Sequence, residues 1–242
     1  MHTYRNTALV FLALMFQQRQ YTPPILLDML PSPLTPHAQS LGDRVLKPGK
    51  ERTTFSGELT TERGERYSLR VVLQLPDNVR IEGLKPNGVV AFDGDSSVTT
   101  SSLLEQQLIE IFSSDIAEAM ITSTRDGAAV QLLGRHIRPD SAVASEVAEV
   151  DIYEWSGPIR SNPRKIDRLK RFAFDSSTGL LAYTEYLDET FSPPLNVKIR
   201  FADWKTIDGS AYPGRIERRE NGRLTFSWKP LEIAPSRRES GK

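Results

Sequence analysis

The sequence predicts a mainly β fold with one helical insertion: a strongly curved antiparallel sheet with helices covering its concave face. Three observations lead to this prediction. Apolar and polar residues alternate over many short segments, turns containing Gly, Asn or Pro join these segments, and one stretch changes to helical spacing. Such alternation is typical of strands with one buried face and one face in water.

The first 36 residues differ in composition from the rest. An apolar run over 7–16 follows a weakly basic start, and five prolines lie within 21–36. The run is too short to span a membrane and fits the core of a signal peptide, although a short packed N-terminal helix would have the same pattern. We expect a signal-like segment and a proline-rich linker over 1–36, one domain over 37–235 and a charged tail over 236–242.

The first half of the domain has the period of strands. Residues 53–60 alternate, and the alternation resumes over 67–75 and 79–82 after turns at Arg63-Gly64 and Pro76-Asp77-Asn78. Short turns between alternating segments predict an antiparallel meander.

One stretch, residues 102–125, has the period of a helix. Apolar residues recur there at intervals of three and four, and Ser113-Ser114-Asp115 predicts a break into two helices with a new N-cap on the second. The broad apolar stripe requires a hydrophobic surface to cover.

Strand patterns then return and continue to the end of the domain. They cover 129–136, 147–155, 169–174, 180–187, 195–201, 212–219 and 223–228. Asp208-Gly209 predicts a tight turn, and Glu220-Asn221-Gly222 is the strongest hairpin signal in the chain.

Composition excludes several classes of function. Lys plus Arg and Asp plus Glu both number 31, so the charge pattern of a nucleic-acid-binding protein is absent. Without cysteine there is no disulfide, thiolate nucleophile or cysteine-based zinc site. The sequence contains no nucleophile elbow and no phosphate-binding glycine loop. We therefore expect no catalytic residue, no metal and no cofactor.

Two further groups of residues are interpreted as having no role in chemistry. The three histidines lie far apart in the sequence and predict no metal site: His2, His37 and His136. The paired carboxylates are predicted to be solvated residues of turns and strand ends: Glu146 with Glu149, and Asp188 with Glu189.

The densest cluster of charge is a basic run from Arg160 to Arg171. It predicts either a docking patch for an acidic partner or anionic headgroups, or merely a solvated loop and strand face. The residues assigned to the docking patch are Arg164, Lys165 and Arg168.

Five segments within residues 50–234 resemble a known family. They read LPDNVRIE at 75–82, VAFDG at 90–94, FDSSTGLL at 174–181, VKIRFADW at 197–204 and DGSAYP at 208–213. In this order and spacing they resemble the outer-membrane lipoprotein-sorting protein family, the LolA-like group. The resemblance implies a periplasmic protein with an unclosed β-barrel, whose apolar concavity, lidded by helices, shields the acyl chains of lipidated proteins.

Alternation and helical phase supply candidate residues for this concavity. Eight strand residues are predicted to line it: Leu69, Val71, Leu73, Val197, Ile199, Phe201, Phe226 and Trp228. Four residues are predicted to form the lid: Leu108, Ile111, Phe112 and Ile116. A dozen buried methylenes contribute about 10 kcal/mol gross, so lipid binding needs no charged motif. The same residues would also suit an ordinary packed core.

We accordingly predict a monomeric periplasmic carrier or chaperone that binds lipid or lipoprotein acyl chains. One alternative is an envelope sensor or regulatory module that uses the same fold to bind a partner protein, because fold does not decide function. Another is a carbohydrate hydrolase, which would require two carboxylates that converge in a cleft.

Overall fold

A computed structural model describes residues 52–74, 78–95, 102–116, 129–139, 147–158 and 167–235. The predicted signal-like segment, the linker and the charged tail lie outside this part of the chain, as do any helix beyond residue 116 and the basic residues Arg164 and Lys165.

Thirteen strands occur in the described residues. Their bounds are β1 (Thr53–Thr61), β2 (Arg66–Gln74), β3 (Asn78–Leu84), β4 (Val90–Asp95), β5 (Ala129–Ile137), β6 (Val150–Pro158), β7 (Asp167–Asp175), β8 (Leu181–Asp188), β9 (Leu195–Ala202), β10 (Lys205–Ile207), β11 (Ser210–Tyr212), β12 (Arg215–Glu220) and β13 (Arg223–Pro235).

Eleven of these strands form one antiparallel sheet in the order β4-β3-β2-β1-β13-β12-β9-β8-β7-β6-β5, and β10 pairs with β11. Among the described residues the edge strands β4 and β5 do not pair with each other, so the sheet is not closed into a barrel. The predicted fold class is confirmed. The first and last of the described strands, β1 and β13, lie side by side and join the two halves of the sheet.

Turn chemistry explains the hairpins. Between β12 and β13, Asn221 and Gly222 have φ of +49° and +83°, the left-handed conformation that a two-residue hairpin turn requires and that these two residue types tolerate best. The hairpin predicted from Glu220-Asn221-Gly222 is therefore present.

The described part of the helical insertion is α1 (Leu103–Glu110), followed directly by a π-helical segment (Ile111–Ile116). We call residues 103–116 the lid. The expected break at Ser113-Ser114-Asp115 is wrong, because these residues continue the helix and are buried. Their polar side chains are buried in the interior. π-Helical turns are rare and are often found at functional sites.

The main core lies between the concave face of the sheet and the lid. It joins apolar residues of β1–β4, residues of β6–β9 and β11–β13, and the buried face of the lid in one cluster. A smaller cluster on the convex face contains Val150, Ala173, Ala182 and Tyr183. In the part of the chain that is described, no helix has both the length and the apolar character needed to cross a membrane.

Gly57 allows β1 and β13 to approach each other at a β-bulge. A Cβ at this position would overlap the carbonyl oxygen of Lys229 and the backbone of Pro230. We expect Gly57→Ala to lower the free energy of unfolding by about 1–3 kcal/mol, measured by chemical denaturation, because backbone atoms cannot move aside cheaply. Ser56→Ala, one residue away, should change it by less than about 0.5 kcal/mol. Equal effects would contradict this explanation.

Candidate ligand-binding site beneath the lid

The eight strand residues predicted to line a concavity all lie on the concave face. They are 0–5 % exposed and belong to one cluster with the four predicted lid residues. The structure therefore brings both groups together in the interior of the domain. In the described structure their side chains are almost fully buried in this cluster, and that they line a site for a ligand stays a prediction.

Aromatic rings join the lid to the sheet at the centre of this cluster. The ring of Phe112 on the lid lies 5.3 Å from that of Trp228 and 6.0 Å from that of Phe55, measured between centroids. Phe55 in turn contacts Tyr212 at 5.8 Å. Edge-on and tilted aromatic pairs contribute about 0.5–1.5 kcal/mol each beyond the burial of their area. Phe112 is thus the main apolar anchor of the lid.

A second part of the interface between lid and sheet is charged. The ammonium of Lys170, on β7, lies 2.7 Å from Asp115 Oδ1 and 3.0 Å from Glu110 Oε1, and it also contacts Ser114 Oγ at 3.3 Å. The Lys170 side chain is fully buried. Arg168, on the same strand, donates to the same Glu110 oxygen at 2.9 Å. One lid oxygen therefore accepts from two strand cations.

Neighbouring strands complete this charged group. Arg168 also donates to Asp188 on β8 at 3.1 Å. Arg218 on β12 donates to Tyr186 Oη at 2.9 Å and to Glu220 at 3.0 Å. The cations of Arg168 and Lys170 lie 4.5 and 4.7 Å from the centroid of the Tyr186 ring, within the range of cation–π attraction. We call Glu110, Asp115, Arg168, Lys170, Tyr186, Asp188, Arg218 and Glu220 the ion cluster.

Burial and charge together set the protonation of the cluster. Burial alone lowers the pKa of Lys170, but Asp115 and Glu110 outweigh it and raise that pKa above its usual value. Burial raises the pKa of Glu110, yet Lys170 and Arg168 hold it below its usual value. The pKa of Asp115 is raised, since burial and the nearby Glu110 carboxylate exceed the effect of Lys170. Lys170 thus keeps its charge, which makes it the fixed centre of the cluster.

The lid interface contains polar atoms that are buried without a hydrogen bond. They include Ser113 Oγ and Asp115 Oδ2 on the lid, and Thr184 Oγ1 on the same face of β8 as Tyr186. An unsatisfied buried polar atom costs about 1–3 kcal/mol, which is regained when water reaches it.

The ion cluster corrects two predictions. Arg168 is buried and paired with lid and strand carboxylates, so it cannot belong to an exposed docking patch, and Lys170 is not part of a solvated face. Asp188, expected to be solvated, is buried as well. The burial of Arg168 and Lys170 could have been predicted from period-two alternation, because they lie on the same face of the strand as the apolar residues Phe172 and Phe174.

The cluster also bears on the hydrolase alternative. Glu110 and Asp115 do converge, but they converge on the buried ammonium of Lys170, which contacts both. A pair of catalytic carboxylates must face a cleft that admits the substrate and a water. Among the described residues, no group of three or more metal-binding side chains occurs either. His136 lies apart, at the exposed edge, where its Nδ1 is 2.9 Å from Glu149.

A cleft of about 680 Å³ lies beside the ion cluster, at the ends of β7 and β8. Arg168 and Tyr186 form part of its wall, and the exposed side chains of Leu169 and Leu187 lie at its rim. The cluster is therefore buried under the lid but adjoins a space that is open to solvent.

Comparisons with known proteins find similarity in structure only. No protein-family model matches the sequence, and no curated protein is significantly similar to it. A domain from Vibrio parahaemolyticus named as an outer membrane lipoprotein-sorting protein has a TM-score of 0.49 at 8 % identity, covering 86 % of this chain and 92 % of its own.

Two other solved structures are similar to the chain. A LolA superfamily protein from Nitrosomonas europaea has a TM-score of 0.42 at 12 % identity, covering 83 % of this chain and 90 % of its own. A DUF1329 family protein from Desulfovibrio piger has a TM-score of 0.43 at 14 % identity, covering 91 % and 95 %. The first of these and the Vibrio domain carry names of the group that the sequence resembles.

Proposed function

We propose that this protein is a carrier that binds the acyl chains of lipids or lipoproteins on the concave face of its sheet, and that the lid moves away when a chain enters. The observation that carries the proposal is the lid interface. An apolar concave face of an unclosed sheet is covered by a short helical segment that also buries two carboxylates and several unsatisfied polar atoms.

The free energy from burying the lid side chains in the closed state is similar to that from burying an acyl chain in the loaded state. The lid buries five large apolar side chains, Leu108, Ile109, Ile111, Phe112 and Ile116, each contributing roughly 1.5–3 kcal/mol. A chain of a dozen methylenes contributes about 10 kcal/mol gross when it replaces them. An exchange that is nearly balanced is what reversible loading and release require, because neither the closed nor the loaded state is then a trap.

The cellular setting belongs to the same proposal. The apolar run over 7–16 has the length of a signal-peptide core, which supports export. We place the carrier in the periplasm as a monomer that receives lipid or lipoprotein chains from an envelope partner. A docking patch that includes Arg168 plays no part in it, because that side chain is buried.

Quenching of Trp228 by a brominated dodecyl maltoside tests whether a chain reaches the concave face. In a variant with Trp155→Phe and Trp204→Phe, Trp228 is the remaining tryptophan of the three in the sequence. We expect saturable quenching with one probe bound per chain, since bromine quenches only at short range and Trp228 contacts the lid residue Phe112. The unbrominated detergent should bind without quenching.

A matched control retains Trp204, which lies at the margin of the core and donates to Leu181 O at 3.2 Å, and replaces Trp155 and Trp228 with Phe. Its quenching should be much weaker. The proposal is rejected if the detergent fails to bind, or if it binds and quenches Trp204 rather than Trp228.

A further inference from the structure

We infer that the ligand is an anionic amphiphile, whose headgroup takes the place of the Glu110 carboxylate between Lys170 and Arg168. This inference rests on the proposed function and adds the chemical class of the ligand to it. The distances that lead to it are those from the Glu110 Oε1 oxygen to two cations, 3.0 Å to Lys170 Nζ and 2.9 Å to Arg168 Nη1.

Lid movement affects the cations of the cluster unequally. The described polar partners of Lys170 are Ser114, Asp115 and Glu110, and all three lie on the lid. Arg168 would lose Glu110 but keep Asp188 on the neighbouring strand. With the lid away, the ammonium of Lys170 and one nitrogen of Arg168 would therefore be left side by side without an acceptor.

The remaining groups keep their partners on the sheet, and only Glu220 would lose a partner on the lid, the amide of Gln107 that donates to its Oε1 at 2.9 Å. Arg218 keeps Tyr186 and Glu220, which are strand residues like itself. Asp188 is held by its own turn, through the backbone nitrogen and hydroxyl of Thr190 at 3.1 and 2.6 Å. The sheet side of the cluster thus has three cations and two carboxylates, an excess of one positive charge, and the lid carboxylates cover it only in the closed state.

This arrangement selects against neutral and cationic ligands. A neutral chain that displaced the lid would leave Lys170 without a counterion in an apolar concavity, and an isolated buried charge costs several kcal/mol. An anionic headgroup with two or more acceptor oxygens, such as a phosphate ester, would replace both lost carboxylate contacts with charge-assisted hydrogen bonds. The chain would then lie on the apolar residues of β1, β2 and β13.

The neighbouring cleft borders the ion cluster. Arg168 and Tyr186 belong to both the ion cluster and the cleft wall, whereas Lys170 is not part of that wall. A headgroup that contacts Arg168 would therefore lie next to a space that is open to solvent.

Calorimetric titration with three probes tests the inference: dodecyl phosphate, dodecyl maltoside and inorganic phosphate. We expect dodecyl phosphate to bind at least about tenfold more tightly than dodecyl maltoside, as one or two charged hydrogen bonds would give. Inorganic phosphate alone should give no binding, because it has no chain. In the variant Lys170→Met/Asp115→Asn, which removes one charge of each sign, the preference for the phosphate should fall at least about tenfold. Arg66→Met, at an exposed ion pair on β2, should leave it unchanged.

The outcomes separate the two proposals. Equal affinity for both dodecyl probes would overturn the headgroup inference and leave the carrier function standing. Inorganic phosphate that binds as tightly as dodecyl phosphate would show a site for the free anion and overturn it as well. If neither dodecyl probe binds, the proposed function itself fails.

Discussion

Lys170→Met is expected to lower the free energy of unfolding by about 3–5 kcal/mol, because it leaves Glu110 and Asp115 buried with one cation fewer. Methionine has a similar length and no charge, so the loss would report on electrostatics and not on a cavity. Chemical denaturation at neutral pH measures it. The double variant Lys170→Met/Asp115→Asn should recover most of this loss, since one buried charge of each sign is then removed.

Lys198→Met provides the control. Lys198 also pairs with a carboxylate, Glu185 at 3.4 Å, but both side chains are partly exposed. Partly exposed ion pairs contribute about 0.2–1 kcal/mol, so we expect a loss of this size. If Lys170→Met were no more destabilising than Lys198→Met, the claim that burial makes the loss of the Lys170 charge more costly would be contradicted.

Phe112→Ala is expected to destabilise the closed position of the lid by about 3–5 kcal/mol, the usual cost of truncating a fully buried phenylalanine. Because the lid can separate from the sheet, the loss should appear mainly as local opening. Amide hydrogen exchange of residues 103–116 should accelerate by at least about a hundredfold, since each 1.4 kcal/mol corresponds to a factor of about ten. Mass spectrometry of peptic fragments measures it.

The matched control is Phe174→Ala, on β7. Phe174 is just as fully buried and contacts Tyr153 at 5.8 Å between ring centroids. Its truncation should accelerate exchange in the strands together with the lid, because it weakens the sheet itself. The idea of a separable lid would be lost if Phe112→Ala accelerated strand and lid exchange equally.

Local patterns in the chain were sufficient to predict most of the architecture. Alternation over residues 53–60, 67–75 and 195–201 identified the strands and their buried faces, and the Asn221-Gly222 turn identified the final hairpin. These features are local. The buried face of a strand follows from the two-residue period of its side chains, and a tight turn follows from the φ values that its residues can adopt. The apolar side chains of the concave face and lid could therefore be named in advance.

The same patterns gave wrong predictions for polar residues that occupy buried positions of a strand or helix. Ser113-Ser114-Asp115 is an ordinary N-cap sequence when considered locally, and Arg168 and Lys170 look like part of a basic loop. Each acquires its structural role from a partner that is distant in sequence: Lys170 and Asp115 are 55 residues apart, and Arg168 and Glu110 are 58 apart.

By itself the sequence determined the strands, the turns and the surface that each apolar side chain would face, because backbone periodicity and turn conformation are local. Only the tertiary structure decided that the lid packs into the main core and that its carboxylates neutralise buried cations of β7. Charge pairing acts through space, and a buried cation is tolerated only where the fold brings an acid to it.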